Sequence, residues 1–346
     1  MELCVRGHPL HSRCLSVTLM QRADGRLDVL GEILDLRKRG FVPVAGELQA
    51  SGIVHQMQLR GVVAPETARL ESLSAAQPAV AFEPTALTQG ESCRDPTPRI
   101  QALVGTRLDA GFAKRWLAEV GGPLGCSHIL TLGQLLASTV AWAMERDRAC
   151  RPGPRRVGER VYRRDLVIDG CALPGRDLEL SLQLTDLHFA PSPLLARPIE
   201  RLCAELEIRA MAEVAMKGMT LARIEAAERR RTRAELADAG WRDHGAALAP
   251  LIGQKLASGV GGALVRRFGE DPDARPLLDL LLNLTPGLYQ CMAALSENWP
   301  VAALRNPSSI GMGGIPDSCF MWRRGGALDR AREAERRAGT PPLLPS

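Results

Sequence analysis

Cys126 and His128 stand two positions apart in GGPLGCSHILTLGQLL (121–136), at the start of an otherwise apolar helical segment. A Cys-x-His pair can offer a thiolate and an imidazole to one metal ion. A helix N-terminus supports the thiolate, because its free N–H groups and dipole favour negative charge. The same two residues also suit a buried cysteine and a satisfied core histidine, so spacing alone leaves both readings open. Further candidates come from an internal repeat.

LVGTRLDAG (103–111) reappears 148 residues later as LIGQKLASG (251–259), and CRD (93–95) lies opposite WRD (241–243) at the same offset. ARLESL (68–73) matches ARIEAA (222–227), and LDVLGEILDL (27–36) matches LELSLQLTDL (178–187). Self-similarity of this kind is the mark of a structure built from repeated units. At the same register Cys126 faces Ala274, His128 faces Pro276, Cys93 faces Trp241, and His55 falls opposite Arg209 or Ala210. The apolar framework persists while these four positions change together. A metal site behaves in that way, because losing one ligand makes the others pointless. His55, Cys93, Cys126 and His128 are therefore the expected ligand set, with copy two a degenerate scaffold half. Two sulfurs and two imidazoles suit zinc, iron or an iron–sulfur cluster, and the sequence does not separate these.

The elements that must position these residues follow from periodicity. CLSVTLMQR and LDVLGEILDL flank Ala23-Asp24-Gly25, a hairpin signal. GIVHQMQLRGVV and TARLESLSA alternate with period two. PRIQALVGTRL, GFAKRWLAEV and SHILTLGQLLASTVAWAMERD then change to the helical period, giving two short helices and one long one. The expected fold is α+β: a tandem duplication of a unit with a four-stranded antiparallel sheet and helices on one face, pseudo-two-fold overall. The expected divisions are a first copy at 1–147, an Arg/Pro/Gly linker at 148–164, a second copy at 165–300, and a tail at 301–346 with a Cys319 loop and a disordered end.

Composition narrows the function. Of 346 residues, 45% are hydrophobic and 24% charged, an ordinary globular balance. A net charge of +5 from 44 basic and 39 acidic residues does not announce a nucleic-acid binder. RACRPGPRRVGERVYRR (148–164) holds seven arginines but no aromatic interleaving, so it reads as a solvated connector. No apolar run reaches membrane-spanning length and MELCVRGHPLHSR lacks a signal-peptide core, so the expected location is cytoplasmic. Nine cysteines, an odd number in a long chain, argue for reduced thiols or ligands. SIGMGGIP (309–316) lacks the context of a phosphate loop and reads as a mobile turn near the site. The recurrent Arg94-Asp95 and Arg242-Asp243 read as structural ion pairs or caps.

With these residues in view, 8–145 resembles the DUF2889 family of unknown function, with the diverged copy at 165–292. The likeness is carried by HPLHSR (8–13), RADGRLDVLGEILDLR (22–37), HQMQLR (55–60), RIQALVGTRLDAGF (99–112) and GCSHILTLGQLL (125–136). The resemblance implies that His11 is a ligand, a base or a surface residue. The family pattern closes with Asp-x-Cys-His, where IPDSCFMW (315–322) supplies Asp317 and Cys319 but has Phe320 in place of the histidine. Cys319 then either completes the site or only packs.

The first functional expectation is a metal-dependent enzyme of bacterial small-molecule catabolism, using zinc or iron, with His55 the fourth ligand or the general base and His11 a second catalytic candidate. The alternative is a non-catalytic protein stapled by a metal or iron–sulfur cluster that binds a partner enzyme. Three protein ligands plus water would favour chemistry, and four would favour a staple. A small-molecule substrate, no nucleic acid, no membrane, and a monomer or homodimer complete the expectation.

Overall fold

The computed structural model describes residues 6–44, 47–150, 153–191, 197–235, 239–296 and 315–338. The expected hairpin forms: β1 (His8–Gln21) turns at Gly25, whose φ of +80° suits glycine, into β2 (Leu27–Arg37). After a two-stranded ribbon, β3 (Val42–Val44) with β4 (Glu47–Gln49), come β5 (Gly52–Ala64) and β6 (Arg69–Ala79). The later strands are β7 (Arg160–Ala172), β8 (Leu178–Phe189), β9 (Leu202–Ala215), β10 (Thr220–Thr232) and the short β11 (Arg242–Asp243).

All but the ribbon join one antiparallel nine-stranded sheet in the order β11-β10-β9-β8-β7-β1-β2-β5-β6. The expectation of four-stranded sheets is thus corrected, while the α+β class with a large antiparallel sheet holds. The reason is at the centre, where β1 pairs with β7 from His8 opposite Ala172 to Met20 opposite Arg160. Left apart, each strand would present a long unpaired edge; joining them removes both.

Helices cover the face on which Leu27, Val29 and Ile33 of β2 and Leu180, Leu182 and Leu184 of β8 are buried. They include α1 (Phe112–Val120) and the long α2 (Ser127–Cys150), which crosses β2 and β5. At Gly133 of α2 a Cβ would lie 2.2 Å from the Trp116 ring of α1, so only glycine permits the approach. The later part of the chain carries α3 (Gly245–Leu248), α4 (Gly261–Phe268), α5 (Arg275–Leu281) and α6 (Leu284–Ala294). Where a single long helix was expected by analogy with α2, the chain breaks at Leu282-Asn283. α6 then packs over β1, β7 and β8. A last helix, α7 (Ala327–Ala338), follows the Cys319 segment.

The arginine-rich segment is held by carboxylates: Arg155 pairs with Asp147, Arg156 with Glu159, Arg163 with Asp165 and Arg164 with Asp186. SIGMGGIP lies outside the described residues except for Ile315 and Pro316, and so does the end of the tail beyond 338. Among the described residues no helix is long and apolar enough to cross a membrane.

Candidate metal and small-molecule site

The site is organised around one carboxylate. Asp35 projects from the helix-covered face of β2 and is fully buried. Directly opposite on β1, Arg13 donates from Nε to Oδ1 at 2.8 Å and from Nη2 to Oδ2 at 3.0 Å. Opposite on β5, beside a bulge, His55 brings Nδ1 to 3.5 Å from Oδ2. From the first turn of α2, His128 brings Nε2 to 3.0 Å from the same oxygen. His11, next along β1, places Nε2 3.3 Å from Oδ1. The rings of His55 and His128 are 3.7 Å apart between centroids. Three imidazoles and a guanidinium thus converge on one buried acid.

Burial sets the protonation states. It works against the Asp35 charge, but the guanidinium of Arg13 and the neighbouring His128 outweigh it and hold the carboxyl well below the usual range. Burial pulls His128 down to about 3, helped by repulsion from His55, and pulls His11 down to about 4. These two rings are neutral at pH 7, as metal ligands must be. The buried Nε2 of His11 and Nδ1 of His55 have no hydrogen-bond partner of good alignment.

Cys126 and His128 are positioned by Gly125. A Cβ at residue 125 would sit 2.0 Å from the carbonyl oxygen of Val120, and this tight passage delivers the chain into α2. The carbonyl of Cys126 accepts the N–H of Leu130 at 2.8 Å, so Cys126 stands at the helix start as expected. Its Sγ lies 3.8 Å from His128 Nδ1 and 3.9 Å from Met57 Sδ. Burial pushes the Cys126 thiol up to about 12 despite two helical N–H groups. Burial also raises Cys93 and Cys319.

A cavity of about 340 Å³ opens beside His55 and His128 and is also lined by Cys93, Cys126 and Cys319. The ligand atoms that converge are those of Asp35, His55 and His128, all within 4.8 Å of one another. This buried group could bind a metal. The three cysteines stand on the wall of the same cavity, with Cys93 packed against Phe82, Met321 and Trp322 in a separate apolar cluster. The Cys319 segment docks on the helix start, where the N–H of Phe320 donates to the Gly125 carbonyl at 2.7 Å. α6 supplies Gln290, whose amide lies 3.2 Å from His128 Nε2.

Asp35, Arg13, Arg37 and Gln290 were missed as candidates. For three of them a signal existed: Asp35 and Arg37 fall on the buried phase of the strand alternation in LDVLGEILDLR, and Arg13 on that of β1. A charge on the inward phase of a strand is seldom idle. The later strands hold a similar pair. Arg164 of β7 donates to Asp186 of β8 at 2.6 and 2.7 Å, and the chain separation is 22 residues for both pairs. Around Asp186, however, stand Tyr162 and Asp279 rather than imidazoles. Asp186 faces Leu206 on β9, as Asp35 faces His55 on β5.

No curated protein and no solved structure matches the chain. Residues 11–141, which carry Arg13, Asp35, His55, Cys126 and His128, match the model of the family described as "Protein of unknown function (DUF2889)", and this segment resembles that family.

Proposed function

We propose that the protein is a metal-dependent enzyme acting on a small molecule, with one zinc or iron ion held by Asp35, His55 and His128 at the cavity wall. The observation that carries the reading is the convergence of two imidazoles on a single buried carboxylate beside a cavity. Two histidines and one carboxylate are the donor set of mononuclear zinc and non-haem iron sites with open positions. Ligands about 2.1 Å from one ion at 90–110° lie about 3.0–3.4 Å apart. The 3.0 Å separation of His128 Nε2 from Asp35 Oδ2 fits such a set, the 3.5 Å of His55 Nδ1 lies just beyond it, and all three atoms stand within 4.8 Å of one another. The unpartnered Nδ1 of His55 is accounted for in the same way.

A bound ion would polarise a substrate oxygen or lower the pKa of a bound water. The chain's own residues do the rest. Arg13 fixes the plane of the Asp35 carboxylate, and the Gln290 amide stands beside His128 at the mouth of the site. His11, buried and neutral, stands on the far oxygen of Asp35 and helps to fix that carboxylate. An iron–sulfur cluster would need thiolates on the same ion, whereas the donors that converge here are nitrogen and oxygen. The non-catalytic staple is the weaker reading, since a staple has no use for a cavity at its ligands.

We also infer that the chain is a tandem duplication with a pseudo-two-fold axis between β1 and β7. The equal spacing of the Arg13–Asp35 and Arg164–Asp186 pairs supports it. So does the antiparallel pairing of the first strand of each half. In this reading the second half lost its imidazoles and lends α6 to the site of the first. Cobalt titration of metal-free protein tests the ligand set. The expected result is visible absorption saturating at one equivalent and abolished in His55→Ala and His128→Ala; absorption unchanged in both variants would sink it.

A further inference from the structure

The buried charges around the cavity do not balance. Arg13 is matched by Asp35, but Arg37 is not. It lies two residues beyond Asp35 on the same face of β2, is 3% exposed, and lines the cavity. Its Nη1 donates to the carbonyls of Gln49 at 3.0 Å and Ala50 at 3.2 Å, while its buried Nε has no partner. Among the described residues no carboxylate comes within ion-pair distance of it. A buried guanidinium without a counter-charge is costly, and an anion from outside would offset that cost.

The remainder of the lining is largely apolar, with Val42, Val54, Phe82, Met292, Met321 and Trp322. A ligand that satisfies both features has one anionic end and an apolar body. A single planar guanidinium matches the two oxygens of a carboxylate, while a phosphate dianion would call for more donors than the wall supplies. We propose that the cavity takes a small carboxylic acid, its carboxylate on Arg37 and its apolar body against Phe82, Met321 and Trp322. Two residues along a strand span about 7 Å, so a group close to the carboxylate would lie at His55 and His128. The inference rests on the reading of this cavity as the active site but not on the metal.

Calorimetric titration of the full chain, metal-free and with one equivalent of zinc, tests it with benzoate and hexanoate, each beside its neutral amide, and with inorganic phosphate. The expected result is at least tenfold tighter binding of a carboxylate than of its amide or of phosphate, with or without zinc. Arg37→Gln removes that preference and Arg37→Lys weakens it, without change in metal content. Amide or phosphate binding as tight as carboxylate binding, or no carboxylate binding to the folded natural chain, overturns the proposal, and needs no variant to fold. A preference for carboxylates in a chain that binds no metal would leave Arg37 standing and remove the metal alone; metal without the preference would do the reverse.

Discussion

Replacing Asp35 by Asn should be among the most damaging single substitutions in the chain, and more damaging than the same change at Asp186. Asp35→Asn leaves the Arg13 guanidinium, 3% exposed, with no other carboxylate partner among the described residues. Breaking a buried ion pair by removing one member costs roughly 3–5 kcal/mol, because the remaining charge is stranded. Asp186→Asn removes two similar hydrogen bonds, but Arg164 keeps Asp279 at 2.5 Å and is not stranded. Its expected cost is that of charged hydrogen bonds, about 1–3 kcal/mol. With a urea m-value near ~3 kcal/mol/M, Asp35→Asn should lower the unfolding midpoint by about 1 M or more, and Asp186→Asn by clearly less. Both are measured with chelator present, since a metal at 100 times its Kd would itself add about 2.7 kcal/mol to the natural chain. The double variant Arg13→Met/Asp35→Leu should recover much of the loss, because neither charge is then buried alone. An Asp35→Asn midpoint within error of the natural chain, or an Asp186→Asn loss as large, would refute the reasoning.

Gly125→Ala must move the chain at the helix start, since its Cβ would meet the Val120 carbonyl at 2.0 Å; a loss of roughly 1–3 kcal/mol in denaturant unfolding is expected, and no loss contradicts the tight passage. Cys126→Ser should leave metal stoichiometry unchanged, because the thiol lines the cavity without joining the ligand set; loss of the ion would return Cys126 to it. Asp279 is raised to about 6 by burial, ahead of the opposing pull of Arg164. Its folded-state pKa exceeds the unfolded value near ~3.9, so its contribution to stability is present below that value and lost as pH rises through about 6. From pH 4 to pH 7 the natural chain should therefore lose on the order of 2 kcal/mol relative to Asp279→Asn in urea midpoints, and a constant difference would contradict the assignment.

Periodicity made the secondary structure legible because strands and helices bury alternate faces at fixed spacing. The hairpin at Asp24-Gly25, the inward phase of β2 and the helix beginning at Cys126 all appear in the residues themselves. The union of β1 with β7 was not legible, since pairing between distant strands depends on which edges remain free and leaves no local pattern. The site was legible in part. His55 and His128 stood out because the segments matched to theirs offer Arg209 or Ala210 and Pro276 instead of imidazoles, and both meet at Asp35. Asp35 was not legible in that way, because LDVLGEILDL and LELSLQLTDL carry an aspartate at the same place and the match singles out neither. Gln290 comes from α6, 162 residues from His128, and nothing in its neighbourhood along the chain marks it.

The most direct test of a metal-dependent site at Asp35, His55 and His128 is elemental analysis with an absorption spectrum on protein purified without oxygen, for the natural chain and for His55→Ala/His128→Ala. The expected result is about one zinc or iron per natural chain, no acid-labile sulfide, and loss of the ion in the variant while it remains folded. A natural chain without metal, or a variant that keeps it, would contradict the site and leave these histidines as packing partners of a structural Arg13–Asp35 pair.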